Sequence, residues 1–414
     1  MLPEDASLIP WFYAGYCVSS AGVARLPVGV VKDALFAALN LFSVASIFFQ
    51  LPGARLPAFA AYFAAVCAFY VVARLTARRE GWLPWLAFFA PIALLVAVRA
   101  APLQLLARHS STLSRKLLLE PEFSVAAFFL GLSYLAFRCS RLVLEVRNGA
   151  APMPGLLRYL GFAFFMPVMP VGPIHTWKDH CLGLDGKAER VPVAAALTRI
   201  AVGLAKSTFI GGLFNQLGYS QLLLDGRLHR WPDFLVACVS YYLFLYLNFS
   251  GACDAAIGMA ALAGIPVPEN FDTPLAARNL KDFWNRWHIT LSEYMRDIVF
   301  APLSKKLVGA FGVQNAQHAM AVTMVVVFLL IGIWHGPGWN YAAFGLVHAL
   351  GVAGNHYYVL WLKRRLTLQQ WRAYQSSPWI RRSATALTFA YVAASLFLFA
   401  NSPLEMREIF HVVR

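Results

Sequence analysis

Charge is what this sequence has least of. Asp, Glu, Lys and Arg make up 13% of its 414 residues, against about 25% in a soluble domain. Hydrophobic side chains supply 59% and aromatics 14%. This argues against a soluble enzyme, a disordered chain and a fibrous repeat, and leaves a protein whose solvent is mostly lipid. Paired cysteines are missing too. Cys17, Cys67, Cys139, Cys181, Cys238 and Cys253 are scattered, with no CxxC or CxC. Most lie in or beside apolar runs, where cysteine acts as a small hydrophobe, so neither a disulfide framework nor a thiolate metal site is supported. The N-terminus, MLPEDASLIPWFYAGY, is acidic before its first apolar stretch. No cleavable signal is expected, and insertion falls to the spans themselves.

Acidic residues are the scarcer charge: 20 Asp and Glu stand against 35 Lys and Arg, a net +15. The cations sit in short clusters between apolar runs: Arg74, Arg78 and Arg79; Arg138, Arg141 and Arg147; Lys305 and Lys306; Lys363, Arg364 and Arg365; Arg381 and Arg382. That is the pattern of loops held at an anionic cytoplasmic leaflet. No run mixes basic and aromatic residues on a polar background, so membrane lipids are expected as partners and nucleic acid is not.

What is there is a series of apolar runs. They cover about 28–50, 56–74, 82–101, 122–139, 156–171, 194–214, 233–250, 318–334, 339–362 and 383–401, near the roughly 20 residues a span needs. Several are short or interrupted by Pro and Gly, which is tolerated at membrane depth only where neighbours or a cavity satisfy the backbone. The expected fold is all-α: a polytopic integral membrane bundle of about 9–12 helices, some broken or re-entrant. No internal repeat, low-complexity linker or soluble domain is visible. The whole chain, 1–414, reads as one transmembrane domain, with N-terminal helices over 1–120, a core over 121–365 and C-terminal helices over 366–414.

The longest stretch that does not read as lipid-spanning runs from about 264 to 317, and it is rich in polar chemistry. Within it lies Lys281 to Asp297, KDFWNRWHITLSEYMRD. On a helix of about 100° per residue, Trp284, His288, Leu291 and Met295 share one face. Asp282, Arg286, Glu293 and Asp297 share the opposite one. The plain reading is an interfacial amphipathic helix with a packed histidine; the sharper one is that His288 works in the interior. A second histidine, His335, ends the charge-free run Ala321 to Trp334 and precedes Gly336-Pro337-Gly338. An ionisable group at membrane depth is costly and points to function. The glycines permit close approach, the proline leaves a carbonyl unpaired, and a neutral imidazole takes a hydroxyl proton near pH 7. The plain alternative is a buried histidine bonded to a freed carbonyl. His348 and His356, on the next apolar helix, read first as structural. His288 and His335 are 47 positions apart (335 − 288), without partners at zinc-like spacing. HExxH, GxSxG and Walker-type loops are absent. No metal is expected.

Four stretches carry a resemblance. Phe165-Met166-Pro167 through Val171-Gly172-Pro173-Ile174 resembles FFP…AGPI. Asn248-Phe249-Ser250-Gly251 through Asp254-Ala255-Ala256-Ile257-Gly258 resembles DFSGYSDMAIG. Pro268-Glu269-Asn270-Phe271 and Phe283-Trp284-Asn285-Arg286-Trp287-His288-Ile289-Thr290-Leu291-Ser292 resemble PENF…FWRRWHISLS. Gly332-Ile333-Trp334-His335-Gly336 with Gly345 and His348 resembles GLWHG…GLxHG. In order and spacing, over roughly 130–360, the chain resembles the membrane-bound O-acyltransferase family. The likeness is to its bacterial branch, which acetylates alginate and similar exopolysaccharides or D-alanylates teichoic acids. Asn285 departs from a usual arginine, Ala252-Cys253 from Tyr-Ser, Tyr294-Met295 from Trp-Leu and Ala349 from glycine.

The resemblance implies a central tunnel through the bundle of a bacterial inner-membrane protein, with the signature histidines at His335 and His288. It implies transfer of an acyl group from a thioester to a hydroxyl. His335 would be the base. His288, or donors near Trp334 and Gly336, would orient substrate or steady the oxyanion. Asn285, Trp287, Ser292, Ser250, Asp254 and His348 would line the substrate path. No tightly bound cofactor is expected. The donor is a co-substrate, acyl-CoA or the phosphopantetheine of an acyl carrier protein, entering from the cytoplasm. The acceptor, a glycan, a cell-wall polymer or an acyl-relay protein, lies on the other side. The net +15 would draw either anionic donor. Two rivals stay open: a transporter or flippase using the histidines as proton relays, and an acyltransferase acting on a lipid or protein.

Overall fold

The computed structural model describes residues 9–50, 56–99, 131–336 and 338–414. Among these residues there is no strand, only two isolated bridges. Six helices among the described residues are long and apolar enough to cross a membrane: Val30–Phe49, Phe59–Thr76, Val193–Leu222, Trp231–Leu262, Val313–His335 and Pro378–Ala400. All six answer to expected runs. The 82–101 and 156–171 runs form shorter apolar helices. The 122–139 run begins outside the described residues, and a helix covers Leu132–Arg147. Trp339–Arg365 has 27 residues, but it carries His348, His356 and three terminal cations and is not apolar enough to count among the six.

The chain forms two compact units, Met1–Gly203 with Ala252–Pro268, and Leu204–Gly251 with Glu269–Arg414. In the first, the FFP-like motif is a hairpin. The half-helix Leu156–Ala163 leads into a 3-10 turn, Met166–Val168, and the chain comes back through a second short helix, Trp177–Leu184. A half-helix ending inside apolar surroundings leaves carbonyls without partners. Buried Arg138, on the Leu132–Arg147 helix, supplies them: Nη1–H donates to Phe162 O (2.8 Å) and Nη2–H to Ala163 O (2.9 Å). At the tip, Met166 N–H donates to Asn40 Oδ1 (2.9 Å), which also accepts from Tyr16 Oη (2.9 Å). At the mouth, Arg158 meets Asp33 (3.1 Å) and Asp185 (2.9 Å). Behind the hairpin, His175 Nε2 and His180 Nδ1 lie 3.4 Å apart among Phe36, Phe162, Phe165 and Trp177. Burial, then Arg138, holds both imidazoles well below their ordinary range.

In the second unit, the helix ending at His335 and the helix bearing His348 pack through glycine. A Cβ on Gly345 would collide with Phe328 O, and one on Gly332 with Tyr341 O. Only glycine lets two backbones approach so closely, and this fixes the spacing between the helices that carry the two histidines.

Candidate functional site

The expected single helix over 281–297 is not formed. Asn279 caps a short helix, Leu280–Trp284, by accepting from Asp282 N–H (2.9 Å). The chain then breaks, restarts at Ile289–Met295 and widens into a π turn over Arg296–Phe300. The break sits at His288, whose backbone is left-handed (φ 46°, ψ 52°). A conformation that costs about 1–2 kcal/mol for an L-residue is held here by the PENF-like segment. Phe271 bridges Trp287 antiparallel. Asp272 N–H donates to Arg286 O (2.9 Å) and Ile289 N–H to Asn270 O (3.0 Å). The expected Asp282–Arg286 pair is present (2.8 Å) and holds one side of the break.

The break places His288 in a cavity of about 100 Å³ with His335 and His348. Its other walls are apolar or aromatic, including Phe249, Trp287, Leu291 and Phe399. His335 is the last residue of its helix, edge-on to Phe399 (centroids 4.8 Å). Trp334 touches both histidines, 4.5 Å from the His335 ring and 6.4 Å from that of His288. After it, Gly336 leaves room that the Tyr341 ring takes up, since a Cβ there would collide with that ring. Pro337, expected to free a carbonyl, lies outside the described residues.

His348 contributes differently. Trp284 Nε1–H donates to its Nδ1 (3.2 Å), so Nε2 carries the proton and donates to Ser395 Oγ (2.9 Å). Ser395 in turn donates to Val392 O (2.8 Å). Both ring nitrogens are committed inside the protein, which favours a supporting role. His356 is not in the cavity wall.

The remaining sequence-selected residues divide. Trp287 lines the cavity and stacks on Phe283. Asn285 lines a separate surface crevice with Arg278, Lys281 and Arg286. Ser292 is half-buried, its N–H donating to His288 O (3.1 Å). Ser250 is buried beside Phe249, and its hydroxyl has no hydrogen-bond partner among the described residues. Asp254 belongs to the first unit and pairs with Arg199 (3.1 Å). Among the described residues no three His, Cys, Asp or Glu side chains gather as a metal site. Ser395, Phe399 and Asn270 were not singled out. The first two arrive from a distant helix and leave no local signal. Asn270 belongs to the PENF-like segment, which is its only mark in the sequence.

Burial, and then His335, holds the His288 ring down to about 3. An exposed histidine titrates near about 6.5. The unfolded chain therefore binds a proton that the folded one refuses, and stability falls as pH drops from about 6.5 towards 3. Thermal unfolding in detergent will show this slope between pH 7.5 and 5. His288→Gln will flatten it without removing it, because His175 and His180 act in the same direction. An unchanged slope in that variant would mean that His288 is not held neutral.

These histidine motifs coincide with a known profile, which matches residues 82–399 and describes the membrane-bound O-acyltransferases (MBOAT). The chain belongs to the MBOAT family. The MBOAT match is wider than the motifs, and takes in the Leu83–Arg99 helix and nearly all of Pro378–Ala400. A teichoic acid D-alanyltransferase of Streptococcus thermophilus is 29% identical over 287 residues, 66% of this chain and 68% of its own length. A peptidoglycan O-acetyltransferase of Helicobacter pylori is 30% identical over 209 residues, 49% of this chain and 38% of its own. A probable alginate O-acetylase AlgI of Pseudomonas putida is 27% identical over 226 residues, 54% and 45%. This MBOAT protein is a multi-pass membrane acyltransferase.

Proposed function

We propose that the chain transfers a small acyl group, acetyl or D-alanyl, from a thioester donor at the cytoplasmic face of a bacterial inner membrane. The acceptor is a hydroxyl of an extracytoplasmic glycan, cell-wall polymer or acyl-relay protein. The observation that carries this reading is the pairing of His288 and His335 on one small apolar cavity. His335 takes the hydroxyl proton as the oxygen attacks the thioester carbonyl. The tetrahedral oxyanion collapses, the carbon–sulfur bond breaks, and the leaving thiolate takes the proton back from the imidazolium. Trp334 and Gly336 are the nearby donors for the oxyanion. The cavity's volume, about 100 Å³, supports a two- or three-carbon acyl group over a long chain. Relatives named for D-alanylation and for O-acetylation support the same class. The donor is the acyl thioester of CoA or of a carrier-protein phosphopantetheine, consumed as substrate with release of the free thiol.

Purified protein, supplied in turn with acetyl-CoA, D-alanyl carrier protein and palmitoyl-CoA, tests this directly. Acceptor-dependent thioester consumption is expected with one of the first two donors and not with the third. A protein that consumes no thioester, yet moves an anionic substrate across a vesicle membrane, is a transporter instead.

A further inference from the structure

The hydrogen bonds around Asn270 decide which nitrogen of His288 carries the proton. Asn270 is buried (1% exposed). Its Oδ1 accepts from Thr290 N–H (3.2 Å) and from Thr290 Oγ1 (2.9 Å). A backbone N–H is only ever a donor, so the amide atom facing it is the oxygen and the amide cannot be turned round. The same oxygen lies 3.2 Å from His288 Nδ1. Two acceptors cannot bond, so Nδ1 carries the hydrogen. In a neutral imidazole, Nε2 then holds the lone pair. The ring's burial and its neighbour His335 keep it neutral. The left-handed backbone at His288 and the 270–272 clip fix the ring's origin from the other side.

We infer that Asn270 is a positioning residue that fixes His288 with Nε2 as a hydrogen-bond acceptor, so that His288 holds a hydroxyl of the acceptor substrate rather than the oxyanion. An oxyanion needs a donor, and a neutral His288 in this tautomer offers none on Nε2. The two histidines thereby divide the work: His288 orients the alcohol, and His335 removes its proton. The hydrogen on Nδ1 stands on geometry, and the lone pair on Nε2 adds only that the buried ring is neutral. The role given to it rests on the acyl-transfer reading.

The test has two parts. In full-length protein carrying ¹⁵N-histidine, with His288 assigned by its loss in His288→Gln, the ring shows the Nδ1–H tautomer at neutral pH. In Asn270→Ala that preference is lost. An Nε2–H tautomer in the wild type overturns the inference, whether or not Asn270→Ala folds. The second part is kinetic. Asn270→Ala lowers kcat/KM for the acceptor by about 10–100-fold and leaves the donor KM unchanged. Asn270→Asp keeps an oxygen in place and restores most of the rate. Its carboxylate also favours the imidazolium, so the acid limb of the pH profile moves to higher pH. Asn270→Ala with wild-type kinetics and only a lower melting temperature overturns the role, as does an aspartate variant no better than alanine. The tautomer is read without turnover, so loss of the acyl-transfer reading and loss of this one are separate results.

Discussion

His335→Ala, purified and shown to be folded and inserted, will lose about 10²–10⁴-fold in acyl transfer, the range of a general base. The loss will fall on kcat, with the donor KM little changed, because proton removal is an event of the transition state. His335→Gln will fare no better, since it keeps polarity and bulk but cannot take a proton. The double variant with His288→Ala will lose much less than the product of the two single losses, as expected of groups that act on one hydroxyl. The surroundings make the test clean. His335 ends a helix and faces the Phe399 and Phe344 rings, so truncation removes aromatic contact at a half-buried position. Near wild-type turnover would take the base from His335.

Arg138→Met will be among the most destabilising single substitutions in the first unit, at about 2–5 kcal/mol. The guanidinium is buried and donates to two carbonyls at the end of the Leu156–Ala163 half-helix. Methionine fills much of the volume and answers neither oxygen; Phe162 O keeps a long bond from Phe165 N–H (3.4 Å), and an unanswered carbonyl away from water costs several kcal/mol. Arg138→Lys will recover only part of the loss, because a single ammonium on a flexible stem replaces a planar fork. Thermal unfolding in detergent measures the effect. An unchanged melting temperature would mean that the half-helix carbonyls find other donors and that Arg138 is dispensable as a cap.

The sequence exposes some of this and conceals the rest, for physical reasons. Apolar runs of the right length report the six described helices that are long and apolar enough to cross, because the bilayer imposes that length on each helix separately. The histidines at 288 and 335 stood out because ionisable groups are rare in such surroundings. Helical periodicity failed at 285–288. It assumes that every residue takes the same backbone geometry, and His288 departs under constraint from Asn270 and Phe271, partners 16 to 18 positions away. His348 was placed in a substrate path, but its bonds to Trp284 and Ser395 are long-range and invisible to spacing. Arg138 stood among basic residues read as surface anchors. Its burial depends on a half-helix that stops short, and no local pattern marks where a helix stops for want of room.

The hairpin between Arg158 and Asp185 has a consequence for counting. Those two residues pair at 2.9 Å, so the chain leaves one side of the first unit and comes back to it. A hydropathy count that scores 156–171 as a crossing adds one passage that the backbone does not make. Each such miscount reverses the side assigned to the loops that follow it.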